Sequence, residues 1–211
     1  MLKEYNTIKN AAGCELIIQK SRFICDCFKV ENEKEALEKL GAVKKKYPDA
    51  THHCYAYSVG LDTVYKRHSD DGEPSGTAGM PILSVIEQNG LRGVLAVVTR
   101  YFGGVKLGAG GLVRAYSKAC AEAVAAAGKV KMALSLKGDV TIDYNFFNPV
   151  ERFIKQSADI VIAGVEYKED IKISVITISD WDEMEKAILN ICNGAALFEK
   201  NGQIYHAWQS D

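Results

Sequence analysis

The stretch from Gln88 to Ala121 carries five cations, Arg92, Arg100, Lys106, Arg114 and Lys118, and not one carboxylate. At its centre lies a glycine-dense turn, Gly103-Gly104-Val105-Lys106-Leu107-Gly108-Ala109-Gly110-Gly111, between an apolar run and a helical one. Backbone N–H groups at a helix start lack intrahelical partners, and the helix dipole is positive there, so such an entry can bind an anion. Phosphate is the expected anion, held by Arg100, Lys106, Arg114, Lys118 and the backbone of Gly103, Gly104, Gly108, Gly110 and Gly111. Just upstream stands the opposite chemistry, Asp70-Asp71-Gly72-Glu73-Pro74-Ser75-Gly76-Thr77.

Each feature has a plainer counterpart. The turn ends in no Gly-Lys-Ser/Thr and lacks dinucleotide GxGxxG spacing, so it is neither a P-loop nor a Rossmann fingerprint. Its glycines could simply permit tight packing and positive φ, with Arg114 paired to Asp70, Asp71 or Glu73. Those carboxylates could hold Mg²⁺ against a phosphate, with His68 moving a proton, or they could cap a turn and pair with the basic loop. Ser75 and Thr77 sit on no nucleophile elbow. His52-His53-Cys54 has no second ligand pair at metal spacing, and neighbours on a strand face opposite ways. Tyr101 and Phe102 could stack on a base or cover the core. Lys44-Lys45-Lys46 suits a helix end. No catalytic residue, metal ligand or cofactor is assigned; His68, Asp70, Asp71 and Glu73 are the candidates should the protein be an enzyme.

The elements that must position these residues follow from periodicity. Cys14–Gln19 and Arg22–Val30 read as strands around a Lys20-Ser21 turn, and Asn32 caps a helix to about Tyr47. Strands at 54–59 and 64–67 precede the acidic turn, and a short helix near Pro81 closes at Gly90. Val94–Val98 is apolar on both faces, as expected of a central, doubly covered strand. After the glycine turn a helix with the stripe Leu112, Tyr116, Ala119, Cys120, Ala123 and Ala127 ends at Gly128, and a strand follows to Leu136. Beyond Lys137–Gly138, the expected boundary, come a strand at 139–144, a helix opened by Asn148-Pro149, strands at 160–165 and 171–178, a helix capped by Asp180, and a hairpin about Asn201-Gly202. That β-α-β-β-α-β order is the ferredoxin-like pattern.

Bulk properties narrow the class. The chain has 211 residues, 47% hydrophobic and 25% charged, which suits one large or two small globular domains. It has no apolar run of membrane-spanning length and no signal-peptide core at its start, so no membrane association and a cytoplasmic location are expected. Its six cysteines fit neither a zinc pair nor a disulfide scaffold and read as buried thiols. Residues 1–135 carry 19 basic and 14 acidic side chains, whereas residues 136–211 carry 7 and 13. The split points to two domains with different electrostatic roles.

Arg67-His68-Ser69-Asp70-Asp71-Gly72-Glu73-Pro74-Ser75-Gly76-Thr77-Ala78-Gly79, followed by the segment from Val98 through the glycine turn to Tyr116, closely resembles the YigZ/IMPACT family. The resemblance covers the whole chain: an IMPACT-type domain at 1–136 and, at 137–211, the small domain of bacterial members. It implies an α+β protein. The first domain is expected to be an α/β fold like the second domain of small-subunit ribosomal protein five. The second is expected to be ferredoxin-like, βαββαβ, similar to the last domain of elongation factor G. GHMP kinases share the first domain's superfamily, but their serine-rich loop is missing from Gly103–Gly111. Eukaryotic relatives regulate translation under amino-acid starvation by competing for an activator of a translation-initiation-factor kinase; they carry a different additional domain, absent here, so that partner does not transfer to this chain. The expected function is translation-associated regulation or binding, with RNA, the ribosome or a translation-factor protein as partner. The alternative is a Mg²⁺-dependent enzyme acting on a phosphorylated small molecule or nucleotide.

Overall fold

The computed structural model describes residues 3–208, and the chain divides into two compact units between Lys131 and Met132. The first unit opens with β1 (Glu4–Ile8), a strand that sequence periodicity did not reveal. Then come β2 (Ala12–Ile18), β3 (Ser21–Lys29), α1 (Glu33–Lys46), β4 (His52–Val59), β5 (Tyr65–Ser69), α2 (Gly79–Gln88), β6 (Val94–Tyr101) and α3 (Gly108–Ala127). The turn joining β2 to β3 is Gln19-Lys20, not Lys20-Ser21: both residues have positive φ, and Ile18 pairs with Ser21. That is the backbone twist two-residue hairpins require.

The sheet runs in the order β2-β3-β6-β4-β5, with every neighbouring pair antiparallel. β6 lies at its centre and is covered on both faces, as its apolar run predicts. Val94, Ala96 and Val98 join Phe23, Cys25, Cys54 and Ala56 beneath α2 and α3. Leu95 and Val97 join Tyr57 and Val59 beneath Ala36, Leu40 and Val43 of α1. Helix α1 is held at its start by Asn32, whose side chain accepts from the Glu35 N–H at 3.0 Å. Glu33 and Glu35 at its first turn and Lys44–Lys46 at its last both suit the dipole.

The second unit has the order β-α-β-β-α-β. β7 (Lys129–Ile142) leads through one 3-10 turn into α4 (Phe147–Gln156); β8 (Ile160–Tyr167), β9 (Ile171–Thr177), α5 (Trp181–Ile191) and β10 (Ala196–Trp208) follow. β10 pairs with β7, which pairs with β9, which pairs with β8, completing a ferredoxin-like sheet. Three expectations need correcting. β7 runs unbroken through Lys137–Gly138, and a Cβ at Gly138 would lie 2.2 Å from the Trp181 ring, so the glycine serves packing, not a linker. Helix α4 starts at Phe147, so Pro149 lies inside the first turn, where its missing N–H is harmless. Asn201-Gly202 is no hairpin; β10 continues through it, with Gly202 at φ +103°. Asp180 does cap α5, its carboxylate accepting from the Asp182 and Glu183 N–H groups. Among the described residues, no helix is long and apolar enough to cross a membrane.

Candidate functional site

The acidic loop after β5 is held in place by its own carboxylates. Asp70 accepts backbone N–H groups from Gly76 at 2.8 Å, Ala78 at 3.0 Å and Gly79 at 2.8 Å, so it anchors the entry to α2. Burial opposes its ionisation, but these three donors hold its carboxyl below the usual aspartate range. Asp71, at φ +44°, accepts the His53 N–H at 2.7 Å, and its carbonyl lies 2.8 Å from Nδ1 of His52. His53 turns its own Nδ1 to within 3.2 Å of the Thr99 hydroxyl, and burial pushes its imidazole downward. The histidine pair therefore serves the loop; His68 lies exposed on β5.

Glu73 is the member that reaches inward. Its Oε1 accepts from Nη1 of Arg100 at 2.6 Å and from the Tyr116 hydroxyl at 2.7 Å. Both partners of the ion pair are about 5% exposed or less at the side chain. Arg100 is thus not the surface cation that the basic run suggested, and it, not Arg114, is the partner of Glu73. Its Nη2 donates to the Ser21 hydroxyl at 3.3 Å, and its guanidinium lies over the rings of Phe23 and Phe102 at 5.2 and 5.4 Å. Its Nε is buried without an acceptor. Cys54 donates to the Asp70 carbonyl at 2.9 Å and lies 3.4 Å from the Tyr116 hydroxyl. Burial pushes the Cys54 thiol up to about 12, and burial together with Cys54 and Glu73 raises Tyr116 further above its ordinary range. The part that Ser21, Cys54 and Tyr116 play here escaped sequence analysis, which weighed Cys54 only as a metal ligand or buried thiol and Tyr116 only as core; the one available signal was a phenol within the apolar stripe of α3, which must find a partner when buried.

The glycine turn closes over this network. The Gly103 N–H donates to the Ser21 hydroxyl at 3.2 Å, and a Cβ at Gly103 would lie 2.1 Å from the Lys20 carbonyl group, so no other residue fits. A Cβ at Gly110, by contrast, would meet nothing within 4 Å, and no packing reason for that glycine exists. Helix α3 begins at Gly108 with no side-chain cap and no acidic residue in its first turn. Among the described residues Lys106 and Arg114 join no ion pair, whereas Lys118, about 15 Å along the helix from Gly108, pairs loosely with Glu122 at 3.8 Å. A cavity of about 310 Å³ opens between the two loops, with Glu73 and Arg100 at its base and Lys106 and the start of α3 on one side. The structure thus unites Asp70, Asp71, Glu73, Arg100 and the glycine turn and leaves His68, Arg114 and Lys118 on exposed surface. Among the described residues no group of three or more His, Cys, Asp or Glu side chains could hold a metal ion.

Fold and loop pair together define a two-unit α+β protein with an uncapped, carboxylate-free helix entry in its first unit. Residues 19–124 match the model of the Impact N-terminal domain. The chain is 42% identical to the IMPACT family member YvyE of Bacillus subtilis, over 82% of this chain and 79% of that one. Identity to IMPACT family member YigZ of Escherichia coli is 45%, over 47% of this chain and 50% of the relative. A solved crystal structure described as a hypothetical protein superimposes with a TM-score of 0.62 at 27% identity, covering 94% of this chain and 98% of its own. The chain belongs to the IMPACT family.

Proposed function

We propose that this protein is a translation-associated binding and regulatory protein whose first unit meets RNA phosphate at the start of α3. One observation carries the phosphate contact: the first turn of α3 has neither side-chain cap nor acid, while Lys106 and Arg114 stand exposed and without ion pairs among the described residues. Lys106, two residues ahead of Gly108, opposes the dipole at this helix end, and a bound anion reverses that penalty. The translation setting rests on the family resemblance. Mg²⁺-dependent chemistry fits less well, because Asp70, Asp71 and Glu73 are each engaged by the protein's own donors. Phosphate contacts position a ligand without reading its sequence, so binding should be tolerant of sequence and steep in salt.

The test is fluorescence anisotropy with a single-stranded RNA across a salt series. Lys106→Ala/Arg114→Ala is expected to weaken binding at least about tenfold and flatten the salt slope by roughly 1.4, about 0.7 for each lost contact. Unchanged affinity and slope would place the RNA elsewhere or remove it.

A further inference from the structure

We propose that the cavity between the acidic loop and the glycine turn binds a single nucleotide unit, its phosphate against Lys106 and the first turn of α3 and its base against Phe102. This deepens the phosphate-contacting role proposed above and rests on it. Phosphate alone would need only the polar end of the cavity. The remainder is apolar: Pro74, Leu107 and Leu112 form walls, and Phe102 is 48% exposed. One face of the Phe102 ring already lies against the Arg100 guanidinium, which leaves a planar group the other. A volume of about 310 Å³ lies at the small end of the range for ligand cavities, which suits one nucleotide better than an extended cofactor.

The charge at the base has been prepared for an anion. Glu73, the one acid lining the cavity, is already engaged by Arg100 and Tyr116. The Nε of Arg100 beside it has no hydrogen-bond partner, although its side chain is only 5% exposed. An orphaned buried donor is rare; enclosed by the protein, it favours an anion in the cavity through its charge and not by direct contact. This donor is independent of the helix start and points to the same kind of ligand.

The experiment is equilibrium dialysis of the full chain with adenosine 5′-monophosphate, adenosine, inorganic phosphate and a 5′-phosphorylated oligoadenylate. The monophosphate is expected to bind, with adenosine and phosphate each at least about tenfold weaker. Phe102→Ala and Lys106→Ala should each weaken the monophosphate about tenfold while the far-UV circular dichroism of the folded protein stays unchanged. An oligonucleotide that binds more tightly than the monophosphate identifies an RNA end as the source; equal affinity identifies a free nucleotide. No binding of the monophosphate at millimolar concentration, adenosine binding as tightly as its phosphate, or affinities unchanged in both variants would overturn the proposal. RNA binding that needs Lys106 and Arg114 but not Phe102, with no monophosphate binding, would sink this inference alone and leave the phosphate surface standing.

Discussion

Removing Glu73 should expose how much of the first unit depends on one buried carboxylate. In Glu73→Ala, Arg100 keeps a single polar contact, the 3.3 Å bond to Ser21, and Tyr116 keeps only the 3.4 Å approach of Cys54. An ion pair whose side chains are 5% and 4% exposed has little solvent to replace the missing partner. Breaking such a pair from one side costs about 3–5 kcal/mol, and the orphaned phenol lies within that range. With a urea dependence of roughly 2 kcal/mol per molar, the midpoint should fall by about 2 M. Replacing both partners, as in Glu73→Leu/Arg100→Met, should be far milder, because no charge is left buried. Far-UV circular dichroism is the assay, since Trp181 and Trp208 both lie in the second unit and their fluorescence reports only that one. A single variant costing under about 1 kcal/mol, or a double variant as damaging as the two singles summed, would refute the buried-pair account.

Two glycines of the same turn should answer in opposite directions. Gly103→Ala forces a methyl into the Lys20 backbone and should destabilise by about 1–3 kcal/mol, whereas Gly110→Ala meets open space and should stabilise by about 0.5–1 kcal/mol through helix propensity; thermal melts compare them directly. Asp70 predicts a pH signature. Its folded carboxyl titrates below the ordinary value of 3.8, so its stabilisation is complete above that value and disappears as pH falls through the folded one. Wild type should therefore exceed Asp70→Asn in urea midpoint at pH 7, and the gap should close below about pH 4; a gap that persists in acid would show that the carboxylate's charge is irrelevant.

What was legible depended on how local the cause was. Asn32 and Asp180 announced their helices because a cap bonds to a backbone two or three residues away. Val94–Val98 announced a doubly covered strand because both faces of one short run are apolar. The pairing of Glu73 was hidden: an acidic loop and five downstream cations fix no choice between Arg100 and Arg114 until β6 ends beside the loop. Arg100 then proved buried, while Arg114, three residues past Gly111, faces out. The cavity was equally hidden, since Pro74 and Leu112 come together only when α2 and α3 pack on one sheet face. At Gly138 the residue type misled, because a glycine that accepts a neighbour's ring looks the same in sequence as one that frees a linker.

That glycine also decides where the chain can be cut. Severing it at Lys137–Gly138 would take from the second unit the strand residues Ser135 and Leu136, one bonded to the Trp208 indole at 2.9 Å and the other packed on the second core. It would leave the Trp181 ring against a frayed chain end instead of a seated strand. Fragments intended to preserve the ferredoxin-like sheet must therefore carry residues that composition assigns to the domain before it.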